Sequence, residues 1–164
     1  MTGAIRLATR SAMLLLVGGA QATYAQTAIQ RVTFQVTSVS RIAVSGTPQP
    51  LVVSTATPGQ QPAPVVASGG TYSITTNETN RKITAAVDQD LPAGVTLEVA
   101  LAAPAAATSV GSVALSTTGA DVVTDIATVN ATSLPITYRL IANTTVEMPS
   151  AETRVVTFTI LAAP

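Results

Sequence analysis

The side chains that could carry chemistry are few, and they point to carboxylates rather than to histidine or cysteine. The 164-residue chain contains eight acidic residues and eight basic ones, with no His, no Cys and no Trp. A Ser-His-Asp triad, a Cys-His pair and the usual zinc or haem sites are therefore excluded. Lys82 is the single lysine, and no Ser-x-x-Lys motif precedes it. We assign no catalytic and no cofactor-binding residues, and we expect a protein that is not an enzyme.

Asp88 and Asp90 form the only acidic pair separated by one residue. Carboxylates in a turn are ligands that calcium accepts, so this pair is a calcium candidate. The twelve-residue calcium-loop pattern is absent, and acidic turns are common because Asp accepts hydrogen bonds from nearby backbone. A solvated turn is the competing interpretation of the pair. A small carbohydrate-binding or hydrolytic module would use carboxylates in another way, and it stays open as an alternative function.

The first 25 residues have the organisation of a secretory signal peptide. Arg6 and Arg10 precede an apolar stretch at 12–20, and small-residue cleavage positions follow at Ala22 and Ala25. The apolar stretch is shorter than the roughly 20 residues needed to cross a bilayer. We expect cleavage after Ala22 or Ala25, and a secreted, periplasmic or cell-surface protein with no transmembrane segment in its mature chain.

The remaining residues, 26–164, have the size and charge of one soluble domain. They carry six basic and eight acidic side chains, which gives a net charge of −2. A nucleic-acid-binding protein usually has an excess of basic residues, which this domain does not have. About 140 residues are enough for one hydrophobic core without disulfides.

Apolar residues recur at every second position along this domain, which is typical of strands with one buried face. Val, Ile and Thr dominate these segments, and Gly- or Pro-containing turns separate many of them. We predict a single immunoglobulin-like antiparallel β-sandwich of about seven to nine strands over 26–164. The candidate strands are 31–44, 51–55, 72–75, 83–87, 95–101, 113–115, 122–126, 136–140 and 156–160.

One segment departs from the strand pattern. Five of the ten prolines lie between Pro48 and Pro64. Because proline donates no ladder hydrogen bond, we expect an edge element followed by a long loop, within a Pro-rich segment at 46–70.

Residues 31–36 read RVTFQV and residues 155–160 read VVTFTI, so both ends of the domain carry a Val-x-Phe-x-aliphatic strand. Between them, residues 134–140 read LPITYRL. With these strands the chain resembles bacterial secreted or surface immunoglobulin-like β-sandwich proteins, and it is also similar to chaperone–usher pilin subunits. The pilin resemblance implies a sandwich that accepts an alternating strand from its neighbour. Val32, Phe34 and Val36 would then be the donor-strand residues, and an ordinary first strand paired within its own domain is the alternative.

We therefore expect an exported β-sandwich protein with a structural, adhesion or interaction role at the cell surface or in the periplasm. A pilus or filament subunit assembled by donor-strand exchange is the alternative. The expected partners are further copies of the chain or another surface protein.

Overall fold

A computed structural model describes residues 26–146 and 150–164. The expected signal peptide lies outside this part of the chain, and so do Glu147, Met148 and Pro149. The described residues form nine β-strands and no helix, and consequently include no helix that could cross a membrane. The strands are β1 (Ser40–Ser45), β2 (Val65–Thr76), β3 (Arg81–Val87), β4 (Val95–Leu101), β5 (Thr108–Ser109), β6 (Val113–Ala114), β7 (Ala120–Ile126), β8 (Val129–Ala142) and β9 (Val156–Ala162).

The strands build two antiparallel sheets, which confirms the predicted β-sandwich. One sheet has the order β1-β2-β8-β4-β6, and the other has the order β5-β7-β3-β9. Their inner faces form a core of aliphatic side chains and two tyrosines, within residues 36–164, which form a compact unit. The largest fully buried side chains are Tyr72, Ile74, Ile83, Val99, Leu101, Val122, Val123, Ile126 and Ile136.

Within the described residues, the strand order matches positions A to F of an immunoglobulin-like sandwich. In immunoglobulin domains strands A, B, E and D form one sheet, and C, F and G form the other. Here β1, β2, β8 and β4 lie side by side in the A, B, E and D positions, and β3 and β9 occupy C and F. The letters A to F then follow the order of these strands along the chain. Strands β5 to β7 are inserted between D and E. The described residues contain no strand in position G, beside β9.

Period-two alternation explains why these segments are strands. In β3, Ile83, Ala85 and Val87 are buried, and the intervening residues are partly exposed. Tyr72 and Ile74 in β2 are buried in the same alternating manner. A side chain turned inward at every second position buries apolar area while Thr and charged residues face water, as the sequence predicts.

The predicted first strand is shorter than the alternation suggested. It was expected over 31–44, but β1 begins at Ser40, and residues 26–39 form no strand. The reason is the length of its partner, since Ser40 pairs with Thr76, the last residue of β2. Beyond that point the partner chain turns away, so the residues before Ser40 have no ladder to join.

Two polar residues fix the position at which β1 begins. Asn77 accepts a hydrogen bond from the Val39 amide at 2.7 Å and donates one to the Thr37 carbonyl at 2.9 Å. Glu78 accepts a hydrogen bond from the Ser40 hydroxyl at 2.5 Å and forms an ion pair with Arg81. The hydrogen bond from Ser40, followed by that from Arg81, lowers the pKa of Glu78. The turn after β2 therefore anchors the chain as it enters the sandwich.

The Pro-rich segment also differs from its predicted form. The short strand expected at 51–55 is absent, and residues 46–64 form one connection between β1 and β2. Pro48 and Pro50 remove main-chain donors immediately before the expected strand. Gly69 and Gly70 lie inside β2, at a bulge where the pairing with β8 shifts between Ala67 and Gly70.

Pro135 lies within β8, a strand with neighbours on both sides, and a tyrosine compensates for its missing amide hydrogen. The Ala102 amide donates to the Pro135 carbonyl at 3.0 Å, immediately after the ladder between β4 and β8 ends at Leu101. An antiparallel pair would return a hydrogen bond from residue 135 to the Ala102 carbonyl, which proline cannot do. The buried Tyr72 hydroxyl donates to that carbonyl instead, at 2.5 Å. Tyr72 therefore completes the ladder from the core.

Replacing Tyr72 with Phe should lower the free energy of unfolding by about 1–3 kcal/mol, because the Ala102 carbonyl loses its donor. The same replacement in a Pro135→Val background should cost less, because a valine amide can donate to Ala102. Urea unfolding of the four proteins in this double-mutant cycle measures the difference. Equal costs in the two backgrounds would contradict the compensation.

The buried tyrosines should make the protein unstable in alkali. Burial raises the pKa of Tyr72 to about 12 and also raises that of Tyr138. Between the ordinary tyrosine pKa of about 10 and the raised value, the folded state holds protons that the unfolded state has lost, so stability falls as the pH rises. Thermal melts from pH 8 to 12 should show this loss, with a shallower decline in Tyr72→Phe. Parallel declines would show that Tyr72 keeps an ordinary pKa.

Candidate interaction groove

The sheet edges are unequally protected against pairing with another chain. Strands β5 and β6 end their sheets on one side and are only two residues long. On the other side, β1 carries the exposed Arg41, and charged residues discourage edge pairing. The remaining edge strand, β9, is seven residues long and contains no charged residue and no proline. Among the sheet edges that the structure describes, β9 is therefore the best template for an added strand.

The main chain of β9 is paired on one side only. Its seven residues pair with β3 in an uninterrupted antiparallel register, from Arg81 opposite Ala162 to Val87 opposite Val156. No other described strand pairs with β9. Its second row of amide and carbonyl groups thus faces the unfilled G position.

The inner face of β9 is apolar but incompletely covered. Val156, Phe158 and Ile160 alternate with exposed threonines and turn toward the core. Each remains partly exposed, whereas the residues opposite them on β3 are buried. A strand in position G would cover this face.

An apolar groove opens where the edge strands β1 and β9 diverge. The two strands contact each other, and Ser40 and Ala162 lie at the ends that adjoin the turn between β2 and β3. Toward their opposite ends the groove has a volume of about 1130 Å³. We call it the β9 groove. Its walls within the sandwich are Val44 of β1, Val95 and Leu97 of β4, Tyr138, Leu140 and Ala142 of β8, and Val156, Thr157 and Phe158 of β9.

Polar groups at one end of the β9 groove hold the chain that leads into β9. Arg154 donates to the Glu152 carboxylate at 2.6 Å and to the Asp90 carbonyl at 3.2 Å. Its Nε atom is buried and has no hydrogen-bond partner among the described residues. These contacts connect the approach to β9 with the turn between β3 and β4, so one end of the groove has a defined shape.

The structure places Asp88 and Asp90 in that same turn, where both accept hydrogen bonds from the protein. Asp88 Oδ1 accepts from the Val155 amide at 2.9 Å, and the Asp88 amide donates to the Val155 carbonyl at 3.1 Å. Asp90 Oδ1 accepts from the Thr117 hydroxyl at 3.2 Å. No third acidic residue joins them in a potential metal-binding group within the described ranges. The contacts assign Asp88 to closing the ladder between β3 and β9, and calcium binding by the pair stays the competing hypothesis.

The three proposed donor residues are on the surface. Val32, Phe34 and Val36 are 73%, 87% and 82% exposed, and Ile29 before them is 89% exposed. They lie in residues 26–39, all of them exposed and none in a strand. Single exposed apolar residues are common on protein surfaces, but several large ones within eight residues are unusual.

Sequence reasoning assigned the residues of the β9 groove to the core and did not predict a groove. Leu97, Leu140 and Phe158 alternate as core residues do, and their partial exposure depends on which neighbour is missing. One signal was available, because residues 32–36 (VTFQV) repeat the pattern of 156–160 (VTFTI). A second segment with the residue pattern of β9 favours an exchangeable strand position.

No protein-family model, curated protein or solved structure matches this chain.

Asp88→Ala should lower the free energy of unfolding by about 0.5–1.5 kcal/mol, because the Val155 amide loses its acceptor. Asp88→Asn should cost less, because the amide oxygen still accepts. Calcium at millimolar concentration should leave the melting temperature of the parent unchanged, as calorimetry can measure. A calcium-dependent rise that disappears in Asp88→Asn would instead support the metal site.

Proposed function

We propose that this chain is a non-enzymatic, exported structural protein whose copies join by strand addition. Residues 31–37 of one copy pair with the free edge of β9 in the next copy and place Val32, Phe34 and Val36 in its β9 groove. The observation that carries the proposal is the coincidence of an unpaired, uncharged edge strand with an exposed segment of matching alternation. The role is that of a pilus-like or other surface filament subunit.

The residue pattern that residues 32–36 share with β9 supports the orientation proposed for the donor strand. In β9 the order Val-Thr-Phe-Thr-Ile turns Val156, Phe158 and Ile160 inward and leaves Thr157 and Thr159 outside. The donor order Val-Thr-Phe-Gln-Val would present Val32, Phe34 and Val36 in the same way. The donor residues 31–37 also equal β9 in length, at seven residues each. Side chains of this order already pack against the core in this fold.

Two contributions would stabilise the added strand: burial of its apolar side chains and main-chain hydrogen bonds to β9. Each large apolar side chain buried in the groove contributes about 1.5–3 kcal/mol, and each ladder hydrogen bond adds about 1 kcal/mol. These gains oppose the cost of ordering the donor residues, about 1–2 kcal/mol each. For a donor segment from another molecule, the two gains together offset that cost over more of this range than either gain does alone.

The geometry of the contact leads to filaments. The donor and the groove are different surfaces of the same chain, so the contact is head-to-tail rather than two-fold symmetric. Repeated head-to-tail contacts form open filaments unless the rotation between copies closes a ring. An adhesive or structural role at the cell surface or in the periplasm would follow from such filaments.

Phe34→Asp should abolish self-association, because a carboxylate at the centre of the donor would enter an apolar groove. Thr33→Asp is the matched control, since it adds the same charge to the neighbouring residue on the outward face. Light scattering after gel filtration, together with SDS gels of unheated samples, should show multimers for the parent and for Thr33→Asp and a monomer for Phe34→Asp.

A mixing experiment isolates the two surfaces. Val44→Asp should block the groove but leave the donor intact, because Val44 lines the groove and is half exposed. Mixed with Phe34→Asp, which keeps an intact groove, it should give a 1:1 dimer that grows no further. Multimers formed by Phe34→Asp alone, or no dimer in the mixture, would contradict strand addition.

A further inference from the structure

The connection between β1 and β2 contributes its own residues to the β9 groove. Residues 48–53, which we call the strap, line the groove together with Pro62. Within the strap, Leu51 is partly buried and packs against the core. The neighbouring Val52 remains 64% exposed. The strap thus forms one wall of the groove.

The strap is held by side-chain contact and not by a ladder. The only backbone–backbone hydrogen bond within residues 46–64 joins the Gln60 amide to the Thr57 carbonyl, at 2.9 Å and outside the strap. Pro48 and Pro50 have no amide hydrogen to offer to β9. The strap therefore covers apolar surface without using the free main-chain edge beside it.

The connection is fixed at its two ends. At the first end, Gly46 has a φ of 80° and lies against the Gly69 carbonyl, so close that a Cβ atom would collide with it. At the second end, Gln61 Oε1 accepts a hydrogen bond from the Thr144 amide at 3.0 Å. Nineteen residues join β1 to β2 although Ser45 pairs with Thr71, whereas hairpins usually need two to five. A long segment held at both ends can leave the groove without disturbing either sheet.

We propose that the strap is a movable wall of the β9 groove, which narrows the groove in the unassembled chain and is displaced by the incoming donor strand. This inference rests on the proposed strand addition, and it identifies what regulates that site. The donor displaces the strap because it offers ladder hydrogen bonds together with three apolar side chains, whereas the strap offers apolar contact alone. The prolines prevent the strap from becoming a permanent strand of its own domain.

The test uses the full chain carrying Phe34→Asp, which accepts a strand but cannot donate one. The probe is a fluorescently labelled synthetic peptide with the sequence of residues 29–38, and anisotropy measures its affinity. Leu51→Ser should tighten peptide binding about tenfold, because the strap loses one buried leucine contact. Replacing Pro48 and Pro50 together with Thr should weaken binding, because the strap gains donors that can pair with β9. Pro58→Thr, in the same connection but outside the groove lining, is the control and should change nothing.

A second measurement reports displacement directly and does not depend on Leu51. The chain has no cysteine, so a single introduced thiol is a specific probe. Val53→Cys, at a partly buried strap position, should react slowly with a maleimide and at least about tenfold faster with saturating peptide. Ser54→Cys, at the exposed neighbouring position, should react at one fast rate throughout.

The outcomes separate the two proposals. Absence of peptide binding to the Phe34→Asp chain would overturn strand addition and the strap together. Peptide binding with an unchanged Val53→Cys rate and an unchanged affinity in Leu51→Ser would overturn the strap alone. Faster labelling on peptide addition, with tighter binding in Leu51→Ser, would support both.

Discussion

Main-chain hydrogen bonding at the edge of β9 is the interaction that the described domain leaves incomplete. Every strand presents two rows of amide and carbonyl groups, and β9 has a described partner for only one of them. Water can satisfy the free row, but it cannot cover the apolar side chains that β9 turns toward the core. The edge therefore lacks a strand in two respects, hydrogen bonding and packing, and one added strand would supply both.

Elsewhere in the sandwich, side chains of the same domain satisfy main-chain groups that lack a ladder partner. Pro135 removes one donor from the ladder between β8 and the chain after β4, and the Tyr72 hydroxyl replaces it at the Ala102 carbonyl. Asp88 similarly supplies an acceptor for the Val155 amide where the ladder between β3 and β9 ends. Side chains thus repair single missing hydrogen bonds inside the domain. A whole free edge exceeds such repair, and under the proposed strand addition residues 31–37 of another copy would supply the missing strand.

The central strands were predictable because their burial follows from their own alternation. Ile83, Ala85 and Val87 have neighbours on both sides and a sheet above them, so the period-two pattern alone identifies their buried face. The same reasoning was wrong for residues 31–39, which alternate equally well but extend past the end of β2. It was also wrong for 51–55, where nearby prolines prevent pairing. Alternation indicates that a segment can be a strand, and pairing decides whether it is one.

The sequence alone determined the all-β class and the inward and outward faces of the central strands, because these depend on local periodicity. It also excluded histidine and cysteine chemistry, because that depends on composition alone. Only the tertiary structure decided that β9 is an edge, that Val44, Leu97 and Phe158 border a groove, and that the strap forms one wall of it. These features depend on which segments become neighbours. That is a property of the assembled sheets, which the alternation of any single strand does not contain.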